Sequence, residues 1–187
     1  VIISVPYILW VYSKRFLSEF SLFLIFIFMS LHLIGAHYTY SLVPYDEWTY
    51  KYTGLFFNKL MGWERNNYDR IIHFMWGLLL YYPFVEILKK KTRLSYSRIM
   101  ILSILIIIGS SSVYELLEWC AAVVFGGDVG QAYIGTQGDE WDSQKDQALA
   151  LAGAVMAASL NQILKSKSGI WHRFFGKTRK NASSTSL

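Results

Sequence analysis

The sequence predicts an all-α, polytopic transmembrane helical bundle with four full spans and a partial span at its N-terminus. Three observations predict it. Hydrophobic residues make up 53% of the 187-residue chain and charged residues only 17%, against about 25% charged in ordinary soluble domains. The apolar residues gather into four long stretches. The basic residues gather between and after those stretches. This composition excludes a disordered chain. One cysteine excludes a disulfide framework, and the absence of CxxC excludes a zinc ribbon or a dithiol redox motif.

Taken in order, Val1–Tyr12 is apolar and as a helix would span about 18 Å. It reads as the tail of a truncated first transmembrane helix. Residues 13–164 form the four-helix transmembrane domain. Its first span is Ser18–Ala36, with one carboxylate at its start and no basic residue. About 20 such residues cross the hydrocarbon core of a bilayer. Loop 38–70 is long for a structureless link and rich in Tyr and Trp. It is expected to lie on the outer interface as a short amphipathic helix over the site. Ile71–Leu88 and Ile99–Phe125 are the second and third spans, joined by the basic link Lys89–Arg98. Loop 126–146 is acidic. Ala148–Leu164 is the fourth span, built from small residues and short enough to need its flanks. The basic tail 165–187 ends in NASSTSL and is expected to be disordered.

The net charge of +5 follows from this arrangement. Lys14 and Arg15, the link Lys89–Arg98 and the tail all fall on one side by helix parity, and the positive-inside rule makes that side cytoplasmic. The C-terminus is then cytoplasmic, and no nucleic acid is needed to explain the basic charge.

Ionisable residues at membrane depth are costly and mark function by default. Here they are His32, Asp69, Arg70, His73, Glu115 and Glu118, with His37, Asp139, Asp142, Lys145 and Asp146 at helix ends and loops. Topology puts them all near the outer face. Asp69 and His73 are four residues apart, Glu115 and Glu118 three, and Asp139, Asp142 and Asp146 step by three and four, so each set shares a helix face. His32 and His37 converge only if their helix ends between them, which Gly35 would allow. Asp146 continues along its face to Ala150, Gly153 and Ala157, His73 to Gly77, and Glu115 back to Ser111 and Ser112. Small faces are where membrane helices pack, so these polar groups point into the bundle.

Plainer roles compete. Asp139 and Asp142 suit a helix N-terminus. The two histidines suit hydrogen bonds at a headgroup boundary. Glu115 and Glu118 suit a structural network with Arg70 and tyrosine hydroxyls. Gly135 and Gly138 read as turn glycines, and Cys120 as a packing residue. Against a purely structural cluster stands its charge: six carboxylates face only Arg70 and Lys145. Like charges are tolerated together only when protons or cations neutralise them. A divalent metal (Zn, Mn, Fe or Mg) would suit such ligands. The expected ligands are Asp69, His73, Glu115, Glu118, Asp142 and Asp146, with His32, His37 and Asp139 in second rank and Arg70 and Lys145 as charge partners.

The strings HLIGAHYTYSLVP at His32–Pro44, NNYDRIIHFMWGLLLYYPFVE at Asn66–Glu86, SSVYELLEW at Ser111–Trp119 and GTQGDEWDSQKD at Gly135–Asp146 resemble the YjdF-type inner-membrane proteins, a bacterial family carrying a domain of unknown function. The resemblance covers roughly residues 18–164. The family usually has an additional N-terminal helix. More distantly, the order of Asp69 and His73, then Glu115, then Asp142 and Asp146 is similar to VanZ-like proteins of the cell envelope, although Glu118-Trp119 stands where many of those have Gln. The resemblance implies a bacterial inner membrane and a helical bundle. It supplies no reaction.

Two main function classes follow. One is an enzyme or binding protein for an envelope lipid or lipid-linked molecule at the outer leaflet, with a metal-activated water as nucleophile and Glu115 or Asp142 as general base. The other is a cation- or proton-coupled transporter. A third, structural role would make the cluster a buried polar network. The absence of an internal repeat leans against transport.

Overall fold

The computed structural model describes residues 17–127 and 137–166. The fold is an all-α membrane bundle. Its described helices are α1 (Glu19–His37), α2 (Tyr45–Thr53), α3 (Phe57–Met61), α4 (Tyr68–Lys91), α5 (Tyr96–Phe125) and α6 (Asp142–Ser166), and there is no strand among the described residues. Four of them, α1, α4, α5 and α6, are long and apolar enough to cross a membrane. The expected partial span at Val1–Tyr12, the tail beyond residue 166 and residues 128–136 of loop 126–146 lie outside the described residues.

Helix α4 buries large residues such as Ile72, Leu80, Tyr81 and Val85, whereas α5 and α6 bury many small or polar residues and expose large apolar ones. On α5 the buried positions are Ile99, Ser103, Ile107 and Ser111, one every four residues, while Leu105, Val113, Leu116, Leu117 and Val123 are exposed. On α6 the buried stripe runs Asp142, Asp146, Ala150, Gly153, Ala154, Ala158 and Asn161. That pattern suits a lipid solvent. Hydrocarbon is as apolar as Leu, so large side chains gain nothing by turning inward, and helices associate through close backbone approach instead.

Helix α4 is the hub and packs against α1, α5 and α6. Its pairing with α6 is the closest approach. A Cβ on Gly77 would lie 2.0 Å from the Ala150 carbonyl oxygen, and one on Gly153 would lie 2.1 Å from that of Phe74. The two helices run parallel, because Asp69 and His73 meet Asp146 at one end and Gly77 meets Ala154 further along. Helix α5 runs antiparallel to α4, with Ser111 beside His73 and Tyr96 beside Lys89. Helix α1 is also antiparallel to α4. Its cap Ser18 and the Ser21 hydroxyl donate to Glu86 at one end, and the Tyr68 hydroxyl donates to the Leu31 carbonyl at the other, 2.8 Å.

The fourth span is longer than its apolar stretch suggested. Helix α6 has 25 residues and starts at Asp142, so its flanks supply the missing length. Loop 38–70 holds two short helices where one was expected. Gly54 (φ +73°) and Gly62 (φ +67°) close α2 and α3 in the left-handed conformation that side chains disfavour.

Candidate functional site

The site lies at the end of the bundle where α4 and α6 begin. Asp69 and His73 occupy successive turns of α4, and Asp146 lies one turn into α6; all three are buried. One ligand atom from each lies within 4.8 Å of the other two. Donor atoms around a single ion, each about 2.0–2.6 Å from it, fall within such a span.

Neighbours hold His73 in place. Its Nδ1 lies 3.2 Å from the Ser111 hydroxyl. Its Nε2 lies 3.8 Å from Asp69 Oδ1 and 3.2 Å from Glu115 Oε1. A hydroxyl on one ring nitrogen fixes which tautomer the other presents. Glu115 Oε2 accepts from the Ser143 hydroxyl at 2.7 Å. Glu115 Oε1 and Asp146 Oδ1 are buried and accept no hydrogen bond from the described residues. The close approach of His73 to Glu115 is therefore a charge-range contact without hydrogen-bonding direction.

Asp142 and Asp139 have different surroundings. Asp142 accepts from Arg65 and lies 3.2 Å from Arg70. Asp139 accepts from Arg70 and, at 2.6 Å, from Lys145. The Lys145 ammonium, the Trp141 backbone N–H and the Arg70 guanidinium hold the Asp139 carboxyl well below the usual carboxylate range. Asp139 precedes α6, and its carbonyl accepts from the Asp142 N–H at 3.3 Å, so it serves the helix start as its position suggested. Glu118 has no ion-pair partner among the described residues.

The two histidines of α1 separate. His32 Nδ1 lies 2.6 Å from the Tyr40 hydroxyl and reaches the wall of the site. His37 is exposed and stands edge-on to Tyr38. The break that Gly35 would allow, and that convergence of the two histidines requires, does not occur, and α1 continues to His37. Gly35 instead seats the Tyr40 ring, which a Cβ would meet at 2.5 Å.

Arg65 is a further residue of the candidate site, one that the sequence spacing does not single out. It sits in the loop before α4. Six carboxylates against two cations were themselves the signal for a third. Asn67 fixes this turn: its Oδ1 accepts from Arg70 at 3.0 Å, and its N–H donates to the Tyr45 hydroxyl at 2.9 Å. Tyr45 in turn donates to Asn58 of α3 at 2.5 Å. The two short helices thus brace the guanidinium groups.

Two cavities flank the cluster. One, about 210 Å³, lies between α1 and α5 on the surface of α4. Its walls are apolar at Phe28, Met29, Ile72 and Trp76 and polar at His32, Tyr40, Asp69, His73 and Tyr114. The other, about 620 Å³, lies between α5 and α6 and is lined by Glu115, Glu118, Trp119, Asp142 and Gln147 among others. One imidazole with two carboxylates is a donor set for Zn, Mn, Fe or Mg.

The family described as "Predicted membrane protein (DUF2238)" matches residues 1–167. Inner membrane protein YjdF of Escherichia coli (strain K12) is 34% identical over 133 residues, which cover 71% of this chain and 59% of that protein. The matched region thus spans about three-fifths of that relative's length. No solved structure matches the chain.

Proposed function

The chain belongs to the DUF2238 family of membrane proteins, and from that premise we propose a multi-pass protein of the bacterial inner membrane whose Asp69–His73–Asp146 cluster binds a divalent cation. We place the cluster at the outer face, the C-terminus in the cytoplasm, and an envelope lipid or lipid-linked molecule at the ion. The inner membrane is supported by the relative's name. The orientation is supported by Lys89, Lys90, Lys91 and Arg93, which lie at the end of α4 opposite the cluster.

The observation that carries the reading is Asp146 Oδ1. Asp146 is 1% exposed, and this oxygen accepts no hydrogen bond from the described residues, although Asp69 and His73 stand within 4.8 Å. An unsatisfied buried carboxylate oxygen is costly, and a closed hydrogen-bond network would not leave one. A cation removes the cost. The lipid is supported by the smaller cavity, where Phe28, Met29, Ile72 and Trp76 lead to Asp69 and His73. A bound ion would polarise an oxygen of that molecule or activate water. Glu115 is better placed than Asp142 as a general base, because Asp142 is engaged by Arg65 and Arg70.

Metal analysis of the purified protein tests this. Wild type should carry about one divalent ion per chain and melt at a lower temperature after chelation. Asp146→Asn should lose the ion and the chelator response together. Wild-type protein that is metal-free and indifferent to chelator would overturn the reading and favour a proton relay or a structural network.

A further inference from the structure

Helices α1 and α5 both pack on α4 but scarcely on each other, and among the described helices only α4 packs against both. A ring contact between His32 and Tyr114, 6.5 Å between centroids, joins them at the end of the bundle that carries the site. The smaller cavity, about 210 Å³, lies in the gap below that contact. Phe28 and Met29, about one turn of α1 further from that end than His32, form its apolar wall with Ile72 and Trp76 of α4. Both flanking helices expose large apolar side chains, Phe26 on α1 and Val113 on α5 among them. Among the described helices, nothing closes the gap from the hydrocarbon.

Size and charge restrict the occupant. Pockets that enclose a whole ligand measure about 300–1,000 Å³, so this cavity takes a linkage and the start of a chain, with the rest of a lipid outside. Asp69 is its one carboxylate, and no Lys or Arg lines it among the described residues. In the proposed ion site Asp69 and Asp146 balance a divalent ion, while Arg65, Arg70 and Lys145 are engaged by Asp139 and Asp142. An ammonium group would face the ion with no free carboxylate to hold it. A phosphate would reach the ion through one oxygen and leave its remaining charge without a cation, which an apolar wall makes unfavourable. A neutral acceptor oxygen meets neither obstacle. The polar end of the cavity suits it, with the Tyr114 hydroxyl and with the Tyr40 hydroxyl 2.6 Å from His32 Nδ1. A hydroxyl that donates to Nδ1 keeps the ring proton on Nε2, where it is a donor.

We infer that this cavity receives the ester linkage of an acyl lipid, with the carbonyl oxygen at the ion and the acyl chain leaving between α1 and α5 into the bilayer. This rests on the cation reading above and names the substrate class of that site. An ester carbonyl is neutral, carries an acceptor oxygen that a divalent ion polarises, and is joined to a chain that matches Phe28, Met29 and Trp76. It also lies just below the headgroup of a lipid, as the cavity lies just below the outer end of α1 and α5. The headgroup stays outside the cavity, so recognition falls on the acyl ester and not on the head.

The test is equilibrium binding to the full-length protein in a neutral maltoside detergent, which has a chain and no ester. The probes are monodecanoylglycerol, the decyl ether of glycerol, decyl phosphate and glycerol monoacetate. The first two share head and chain length, so their difference reads the carbonyl. Monodecanoylglycerol should bind at least about tenfold more tightly than the ether and than decyl phosphate, and the monoacetate should bind most weakly. Met29→Trp, which fills the apolar end of the cavity, should weaken monodecanoylglycerol at least about tenfold. Tyr114→Phe, which removes only a hydroxyl, should narrow the difference between ester and ether several-fold. Both variants should keep wild-type metal content. Equal affinity of wild type for ester and ether would overturn the proposal, as would tighter binding of decyl phosphate. An ester preference unchanged by Met29→Trp in folded protein, or by Tyr114→Phe, would also overturn it. Monoacetate binding as tightly as monodecanoylglycerol would overturn the acyl-chain assignment. Metal-free protein with the ester preference intact counts against the cation reading alone. Metal-loaded protein without the preference counts against this inference alone.

Discussion

Gly77 on α4 faces the carbonyl of Ala150 on α6 so closely that a Cβ there would lie 2.0 Å from the oxygen. Backbone cannot yield as a flexible side-chain tip can, so even one methyl group must push the helices apart. Gly77→Ala is expected to lower stability by about 1–3 kcal/mol. It should also loosen the Asp69–Asp146 approach one to two turns away. Thermal melts in detergent, read beside metal content, check both effects. An unchanged melting temperature would contradict the close packing.

Ser111 touches His73 only through Nδ1, so Ser111→Ala should leave the three ligands in place while freeing the ring. Outer partners of this kind are worth about 10–100-fold in metal affinity. Competition with a calibrated chelator measures it. Conservative Ser111→Thr, which retains the hydroxyl, should restore much of the affinity.

Arg65 and Asp142 form a pair whose acid is 4% exposed. Arg65→Ala leaves Asp142 with Arg70 alone and should cost about 1–3 kcal/mol, the penalty of a poorly compensated buried group. The double change Arg65→Ala with Asp142→Asn should recover part of that loss, because the uncompensated charge goes with it. A double-mutant cycle of melting temperatures gives the coupling.

Asp139 sets an acid limit. Its carboxyl is held below its ordinary value by Lys145, the Trp141 N–H and Arg70. A depressed carboxyl contributes stability that is complete above the unfolded value of about 3.9. That contribution is lost as pH falls through the depressed folded value. The wild-type melting temperature should therefore fall more steeply below about pH 4 than that of Asp139→Asn. Parallel acid limbs would remove Asp139 from the account.

The proposed orientation predicts that Lys89–Arg98 is cytoplasmic and that the segment between α5 and α6 faces outward. Single cysteines placed in each, in a Cys120→Ser background, should label from opposite sides of the membrane. Preferential labelling of residues 126–138 from the cytoplasm would reject it.

Much of the bundle was legible because a span needs only length and apolarity, and α1, α4, α5 and α6 have both. The pairing of Asp69 with His73 was legible because four residues make one helical turn. The small stripe from Asp146 to Gly153 marked the helix contact for the same reason. What escaped depended on the loop. Nothing in the spacing shows that Arg65 folds back onto Asp142, because that contact is set by Asn67, Tyr45 and Asn58 across two short helices. His37 escaped differently. Gly35 would allow a helix end, but its missing side chain serves the Tyr40 ring, and α1 runs on and carries His37 away.

The parallel alignment of α4 and α6 has a consequence for biogenesis. Two parallel neighbours cannot be joined by a short turn, so the chain crosses once more, through α5, before α6 can dock. During synthesis, Asp69, His73 and both arginines are made before Asp139, Asp142 and Asp146. The nascent protein thus inserts three of the six carboxylates with the imidazole and both arginines, and waits for its last crossing to bring the other three. A truncation that ends after α5 would present an inserted protein with half a site, its Asp69 and His73 lacking the Asp146 they meet in the folded bundle.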